Sequence, residues 1–150
     1  MQWKIKEFDQ LSLQELYSLL TLRTDVFVVE QACPYPELDG KDPTCLHLIG
    51  MDGDELVGYL RLLPSGQSYE EASIGRVVIR SSHRGRGLGR PMMECAIQYI
   101  TKEWKEEKIK IGAQAYLEKF YQSLGFKSVS EVYLEDGIPH LDMLYTKPAS

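Results

Sequence analysis

The glycine-rich segment 84–90, RGRGLGR, carries the residue types with which proteins bind phosphate groups. Glycines let a backbone approach a ligand closely and adopt a positive φ angle. The first turn of a helix offers unpaired N–H groups and a partial positive charge, and Arg84, Arg86 and Arg90 add formal charge here. Because the segment lies between a predicted strand and a predicted helix, it indicates a site for a phosphate or a pyrophosphate.

Two known phosphate motifs do not match this segment. The chain has no GxxxxGK[ST] sequence, which excludes a P-loop. Its G-x-G-x-G spacing, outside a βαβ unit, also differs from the dinucleotide-binding pattern. Five of the seven arginines lie within fifteen residues of a chain whose net charge is −5, and such a local cationic spot favours a small anionic ligand over a polyanion. The alternative interpretation is a flexible loop whose glycines serve turn geometry alone.

The hydrophobic pattern predicts the elements that must position this loop. Alternation with period two predicts strands, and spacings of three and four residues predict helices. The predicted strands are residues 3–8, 46–51, 56–63, 73–80, 108–113, 127–134 and 138–146, and the predicted helices are residues 13–29, a helix from about residue 90, and residues 117–124. This order, β-α-β-β-β-α-β-α-β-β, implies an α/β fold with a mixed sheet and helices on its faces.

Composition limits the class of protein. The chain has 150 residues, of which 43% are hydrophobic and 26% charged, as in a soluble globular domain, so we expect one domain over residues 1–150. No apolar run approaches the roughly 18 residues of a membrane span, and the N-terminus lacks the apolar core of a signal peptide. Cys33, Cys45 and Cys95 are unpatterned, so we expect reduced thiols in the cytoplasm. No zinc-binding spacing is present, so no metal is expected.

Two segments together resemble a known family. The pattern R-x-x-G-x-G, formed by Arg84, Gly87 and Gly89 after the strand SIGRVVI, resembles the acyl-CoA loop of the GNAT acetyltransferase superfamily. The segment 115–126, AYLEKFYQSLGF, resembles the second signature of that superfamily, a helix that bears F-Y and ends in G-F. The stretch RTDVFVVEQ at residues 23–31 and the stretch EDGIPH at residues 135–140 resemble the ElaA-type branch. The resemblance implies the GNAT fold, with a central mixed β-sheet flanked by helices, and N-acetyltransferase activity with acetyl-CoA.

The resemblance also assigns residues to the cofactor. The glycine loop would hold the pyrophosphate of acetyl-CoA, and backbone N–H groups of the strand before it would polarise the thioester carbonyl. Many relatives carry an asparagine before the second signature, where this chain has glutamine. The cofactor-binding residues expected on this basis are Val77, Val78, Ile79, Arg84, Gly85, Arg86, Gly87, Leu88, Gly89, Arg90 and Gln114.

The proton transfers need an acid for the departing thiolate and a base for the amine. Tyr121 matches the general acid of the family; a phenol with a pKa near ~10 can protonate a thiolate near ~8.5. The alternative is a tyrosine that only packs on its helix. Residues 74–79 contain no carboxylate, so the base position of some relatives is empty. Glu30 and His140 are the first candidate bases, with His47 and Glu135 as further candidates. The favoured alternative for Glu30 is a solvated helix-end carboxylate, and His140 is equally a structural histidine.

The acceptor amine is not identified by the sequence. The segment after the first helix and the last hairpin flank the acceptor groove in this family, so the expected substrate-binding residues are Glu30, His47, Arg61 and His140, with His47 alternatively a core residue. A small-molecule amine, a lysine side chain or a protein N-terminus would fit, and nearby acidic residues favour a cationic acceptor. The rival function is a non-catalytic CoA-binding regulator. Nucleic acid is a disfavoured partner of so acidic a chain, and the oligomeric state is not encoded in any pattern.

Overall fold

The computed structural model describes residues 1–149, which form eight strands and three α-helices. The strands are β1 (Gln2–Glu7), β2 (Leu46–Asp52), β3 (Glu55–Leu63), β4 (Ser73–Ile79), β5 (Lys108–Gln114), β6 (Phe126–Ser128), β7 (Tyr133–Glu135) and β8 (Ile138–Thr146). The α-helices are α1 (Leu13–Arg23), α2 (Gly89–Lys102) and α3 (Glu118–Ser123), and a π-helix at Thr24–Glu30 continues α1. No helix within these residues has the length and apolarity that crossing a bilayer requires.

The strands form two antiparallel sheets that meet at one point. The first sheet has the order β1-β2-β3-β4, and the second has the order β5-β8-β6, with β7 also paired to β8. The sheets are joined by a parallel bridge between Ala72 and Ile109, where the Lys110 N–H donates to the Ala72 carbonyl at 2.9 Å. Since β4 and β5 touch only near their beginnings, they diverge toward their ends and leave a gap. The predicted α/β fold is confirmed, with its parallel pairing confined to this one bridge between two antiparallel sheets.

Two apolar clusters cover the faces of the first sheet. Side chains of a strand alternate between faces, so Leu48 and Leu60 face α2, whereas Ile49 and Tyr59 face α1. The α2 face contributes Met92, Met93, Ala96 and Ile100, and α1 and the π-helix contribute Leu19, Leu22 and Val26. These clusters hold both helices against the sheet. They therefore position the start of α2 and the end of the π-helix, which lie beside the gap.

The first helix differs from the prediction in its second half. Ser12 and Glu15 form the capping box that begins α1, as the sequence pattern indicates. From Thr24 the backbone widens to a π-helix, with i to i+5 bonds such as the one from the Gln31 N–H to the Val26 carbonyl, at 3.1 Å. Three valines in this stretch favour helix weakly because of their β-branching. Val26, Phe27 and Glu30 of this wider turn line the gap between the sheets.

The prediction of one strand over residues 127–134 is wrong, because two separate strands, β6 and β7, lie in this part of the chain. The side chain of Ser130 accepts a hydrogen bond from the Asp142 N–H at 2.8 Å, so a hydroxyl replaces the backbone partner that a continuous strand would supply. A pattern of alternating hydrophobic residues does not reveal that a side chain takes the place of a backbone hydrogen-bond partner. The predicted helix at 117–124 is also shorter, with a 3-10 turn at Ala115–Leu117 followed by α3, and Gly125 at φ 103° follows its end.

Candidate active site

The gap between the diverging ends of β4 and β5 is a cleft of about 650 Å³. Residues from distant parts of the sequence line it, including Tyr121 of α3, Arg84 before α2 and Glu30 at the end of the π-helix. The sequence-predicted residues among its lining are Glu30, Arg61, Val77, Val78, Ile79, Arg84, Gly89, Gln114, Tyr121 and His140. The other expected cofactor residues, Gly85, Arg86, Gly87, Leu88 and Arg90, belong to the exposed loop and first helical turn around Gly89.

A β-bulge in β4 opens the backbone toward the cleft. Tyr59 pairs with Val78 and Arg61 pairs with Gly75, so Arg76 and Val77 together face a single residue of β3. A bulge of this kind leaves the extra residue outside the ladder of hydrogen bonds. Arg76 has φ 52°, a left-handed conformation that is costly for a residue with a Cβ. The residues after the bulge, Val77–Ile79, line the cleft, and they are the residues to which the resemblance assigns the thioester carbonyl.

Tyr121 presents a hydroxyl to the cleft from a buried ring. The residue is 5% exposed, and its ring packs edge-on against Phe120 and Phe126, at centroid distances of 5.2 and 5.9 Å. Among residues 1–149, no group hydrogen-bonds to its hydroxyl. Burial raises the pKa of Tyr121 to about 12, because the phenolate is poorly solvated there. The hydroxyl therefore holds its proton at neutral pH and is free to donate it to a ligand.

His140 faces the cleft from β8 in a defined tautomer. Its Nδ1 lies 2.7 Å from the carbonyl oxygen of Ile138, which can only accept, so Nδ1 carries a proton. In the neutral ring Nε2 is then an unprotonated acceptor, 3.6 Å from the Glu135 carboxylate. The ring stacks on Tyr133 and is 8% exposed. This arrangement suits a group that accepts a proton from a bound amine.

Glu30 is engaged by the loop that the sequence assigns to the cofactor. Arg84 Nη1 lies 2.9 Å from the Glu30 carboxylate, and the Arg84 Nε–H donates to the Ile79 carbonyl at 3.0 Å. This ion pair crosses the cleft wall between the π-helix and the end of β4. Glu30 must leave this pair before it can accept a proton, so the geometry favours His140 of the two candidate bases.

The glycine-rich loop at residues 84–90 carries positive charge that no carboxylate among residues 1–149 neutralises at Arg86 or Arg90. Arg86 and Arg90 donate to the Ser82 carbonyl and the Ser123 hydroxyl, and neither pairs with a carboxylate among residues 1–149. Gly85 and Gly87 have φ of 78° and 72°, with no atom within 4 Å of an added Cβ, so their role is conformational. The first turn of α2 also lacks a side-chain cap. Positive charge and uncapped N–H groups fit the pyrophosphate of a CoA ester.

A buried network of ion pairs forms one wall of the cleft, and sequence reasoning missed it. Arg23, fully buried, donates to Glu37 at 2.9 Å and to Asp42 at 2.8 Å. Arg61 holds Asp39 and also reaches Asp42 at 3.1 Å, and its hydrogen bonds lower the pKa of Asp39. An available signal was an arginine on the apolar face of α1 and three acidic residues in the 31–43 loop.

Arg76 completes this network from the bulge. Its Nε lies 2.8 Å from the Glu37 carboxylate, and its guanidinium lies over the Phe27 ring at 5.1 Å. The loop between the π-helix and β2 is therefore tied to α1, β3 and β4 through three arginines. Because charges buried without partners are costly, the network holds the loop and the strained backbone of the bulge in one arrangement.

His47 lies outside the cleft, so the expectation that it lines the acceptor groove is wrong. It is fully buried, 2.6 Å from the Tyr59 hydroxyl through Nδ1 and 2.9 Å from the Asp42 carbonyl through Nε2. Burial lowers the pKa of His47, so the ring is neutral and supports the network from behind. Of the groove residues that the sequence proposed, Arg61 does line the cleft, but its guanidinium is occupied by two carboxylates.

Three potential metal ligands come together beside this network: Asp42, Cys45 and His47 lie with their ligand atoms within 4.8 Å of one another. The Asp42 carboxylate accepts from Arg23 and Arg61, and both nitrogens of His47 have partners. Burial raises the pKa of the Cys45 thiol to about 12, so it keeps its proton. The donor set is engaged and faces two guanidinium groups, which does not fit a cation.

The comparisons with known proteins agree with this fold and this cleft. Residues 14–147 match the family described as Acetyltransferase (GNAT) domain. The protein ElaA of Escherichia coli K12 is 45% identical over 145 residues, covering 95% of each chain. The crystal structure of an acyl-CoA N-acyltransferase from Pseudomonas aeruginosa superposes with a TM-score of 0.91 at 44% identity, over 97% of this chain and 100% of that one.

The chain therefore belongs to the GNAT acetyltransferase family. Within that family it belongs to the ElaA-type branch, since the crystal structure of Escherichia coli ElaA also superposes with a TM-score of 0.90 at 43% identity, over 97% of this chain and 99% of that one.

Proposed function

We propose that the protein is an acetyl-CoA-dependent N-acetyltransferase in which a primary amine attacks the thioester directly. The observation that carries this proposal is the buried hydroxyl of Tyr121, which has no protein partner among residues 1–149 and shares its cleft with the β4 bulge and His140. An acid, a base and a backbone donor site around one cleft are what acyl transfer to an amine requires.

The loop from Arg84 to Arg90 would bind the pyrophosphate of acetyl-CoA through glycine-permitted backbone donors and the charges of Arg86 and Arg90. Backbone N–H groups at Val77–Ile79 would donate hydrogen bonds to the acyl oxygen and stabilise the charge that develops on it. Gln114, which lines the cleft from β5, supplies an amide for the remainder of the cofactor. When bound, acetyl-CoA supplies an acyl group that is activated as a thioester.

The chain's own groups then move the protons. An alkylamine with a pKa near ~10.4 is mostly protonated at neutral pH, so a base must accept its proton before it can attack. His140 Nε2 is oriented to do so, because the Nδ1–H bond to Ile138 fixes the ring. Tyr121 holds the proton that the departing sulfur needs. No side chain forms a bond to the acyl group in this scheme.

The acceptor is either a small amine or the amine of a peptide or protein. Cys33, Cys45 and Cys95 are all free, in keeping with a reducing, cytoplasmic setting. The rival function, a CoA-binding regulator without turnover, shares the loop but makes no use of the Tyr121 hydroxyl.

An acceptor screen with acetyl-CoA, read as released thiol, tests the proposal together with CoA binding measured by calorimetry. We expect thiol release that depends on an amine, and CoA binding that weakens at least tenfold when Arg86→Gln and Arg90→Gln are combined. Binding of CoA without thiol release from any amine class would favour the regulator. Unchanged CoA affinity in the double variant would remove the loop from the site.

A further inference from the structure

A small side chamber of about 120 Å³ adjoins the cleft. The two cavities share six lining residues: Phe27, Gln31, Arg76, Gln114, Glu135 and His140. The chamber extends from there between the loop that follows the π-helix and the turn that joins β7 to β8, with Cys33 and Tyr35 on one side and Asp136 and Ile138 on the other. The chamber therefore continues the cleft on the side of His140.

The chamber carries an excess of negative charge. Glu37 is neutralised, because Arg23 and Arg76 both pair with it. Glu135 and Asp136 at the turn have no lysine or arginine partner among residues 1–149, and Arg76 is the only lysine or arginine in the chamber lining described. The Arg76 guanidinium is already engaged, and the one basic group paired with a turn carboxylate among residues 1–149 is the His140 ring, whose Nε2 lies 3.6 Å from Glu135. With a neutral ring there, the two turn carboxylates attract a cation from solution.

His140 connects this chamber to the reaction. The residue is more than nine-tenths buried and lines both cavities. Within the described chain its Nε2 makes no hydrogen bond and lies 3.6 Å from the Glu135 carboxylate. An acceptor nitrogen that faces a cavity and makes no hydrogen bond leaves room for a donor from a ligand, and the neighbouring carboxylate favours a cationic donor. An amine bound at Nε2 would direct the rest of its molecule either back along the cleft or into the chamber.

We propose that the acceptor is a short, unbranched diamine. One amine reacts beside His140, and the second, as an ammonium, is bound in the side chamber by Glu135 and Asp136. This inference rests on the proposed function. At about 30 Å³ for each water-sized group, the chamber holds roughly four heavy atoms, which favours diamines with four or five carbons.

The transfer is balanced without further reactants. The nitrogen of the neutral amine forms a bond to the acetyl carbon while the bond between carbon and sulfur breaks. Before this attack the ammonium gives one proton to His140 Nε2, which passes it to solvent. As the amide forms, the nitrogen releases its second proton by the same route, the sulfur gains one from Tyr121, and solvent returns a proton to the tyrosine. The products are CoA with a free thiol and a monoacetylated diamine that retains one ammonium group.

The test compares 1,5-diaminopentane with pentan-1-amine and 5-aminopentan-1-ol, which share its length but lack the second charge. In the wild-type enzyme we expect kcat/KM for the diamine to exceed that for either analogue at least tenfold. Combining Glu135→Gln with Asp136→Asn should reduce this ratio below about threefold. Asn tolerates the left-handed φ of 51° at position 136. The matched control, Glu103→Gln with Glu107→Gln, removes two exposed charges outside both cavities and should preserve the ratio.

Calorimetric titration of 1,5-diaminopentane into the CoA complex gives a reading that does not require turnover. We expect binding to wild type and to the control, weakened at least fivefold in the Glu135→Gln, Asp136→Asn variant. Equal kcat/KM for diamine and monoamine, or diamine binding that the double variant leaves unchanged, would overturn the diamine proposal while acetyl transfer stands. Diamine binding that depends on the two carboxylates without thiol release would support the chamber and count against the enzyme.

Discussion

Replacement of Tyr121 by phenylalanine isolates the role of one hydroxyl. The ring contacts with Phe120 and Phe126 remain, and within residues 1–149 the hydroxyl has no hydrogen bond to lose, so unfolding free energy should change by less than about 1 kcal/mol. A general acid contributes ~10²–10⁴-fold, which corresponds to about 3–5 kcal/mol of activation barrier. We therefore expect a fall of at least a hundredfold in single-turnover rate with CoA affinity unchanged.

The pH dependence gives a second reading of the same residue. Because burial raises the pKa of Tyr121 to about 12, the acid form persists through neutral and moderately alkaline pH. The Tyr121 hydroxyl loses its proton only as the pH rises toward that value. Deprotonation of Tyr121 should therefore cause no fall in the wild-type pH–rate profile below about pH 10.

The matched control is Tyr99→Phe, which removes a hydroxyl from a partly buried ring that packs on Trp104 outside the cleft. Rapid-quench measurements at saturating acetyl-CoA and amine compare the three proteins, with thermal unfolding to verify their folding. A Tyr121→Phe enzyme that reacts at the rate of wild type and of Tyr99→Phe would refute the assignment of the acid.

Three further predictions follow from the cleft and its wall. His140→Gln should lower kcat more than it weakens CoA binding and should flatten the acidic limb of the pH–rate profile; an unchanged limb would exclude it as the base. Arg23→Met should lower the free energy of unfolding, measured in urea, by about 3 kcal/mol, which is the lower end of the range for breaking a buried ion pair. The loss is at this lower end because Glu37 remains paired with Arg76 and Asp42 with Arg61; a loss below about 1 kcal/mol would contradict this. Asp39→Asn should be less stable than wild type at pH 7, with the difference shrinking below about pH 4, because the pairing with Arg61 lowers the pKa of Asp39 and its stabilisation is lost as the pH falls toward that value; a difference that stays constant with pH would argue against the pairing.

The sequence predicted the parts of this protein whose signals are local. The glycine loop, the capping box at Ser12 and the strands of the first sheet follow from residue types within a few positions of one another. The element order and the two signatures were enough to indicate the family. A local signal cannot report a partner far along the chain, and for this reason residues 127–134 were predicted as one strand, although Ser130 interrupts the pairing with Asp142.

The tertiary structure decided which side chains face the cleft. His47 and Arg61 are opposite each other across β2 and β3, yet only Arg61 lines the cleft. The His47 ring is held in the core by its hydrogen bonds to the Tyr59 hydroxyl and the Asp42 backbone carbonyl. No pattern in the sequence distinguishes these two environments. Burial and hydrogen-bond partners, not residue type, determined the outcome.

The pairing of charges was likewise set by folding. Arg84 meets Glu30 across 54 positions, and Arg76 meets Glu37 only because a two-residue bulge turns its strand. Which arginine meets which carboxylate depends on strand register, on the rotation of the π-helix and on the path of the loop between them. The sequence alone therefore determined that this chain has a cationic glycine loop and a tyrosine at the position of the family's acid. Packing determined which of its charges remain available to ligands, because a buried charge requires a partner within the fold.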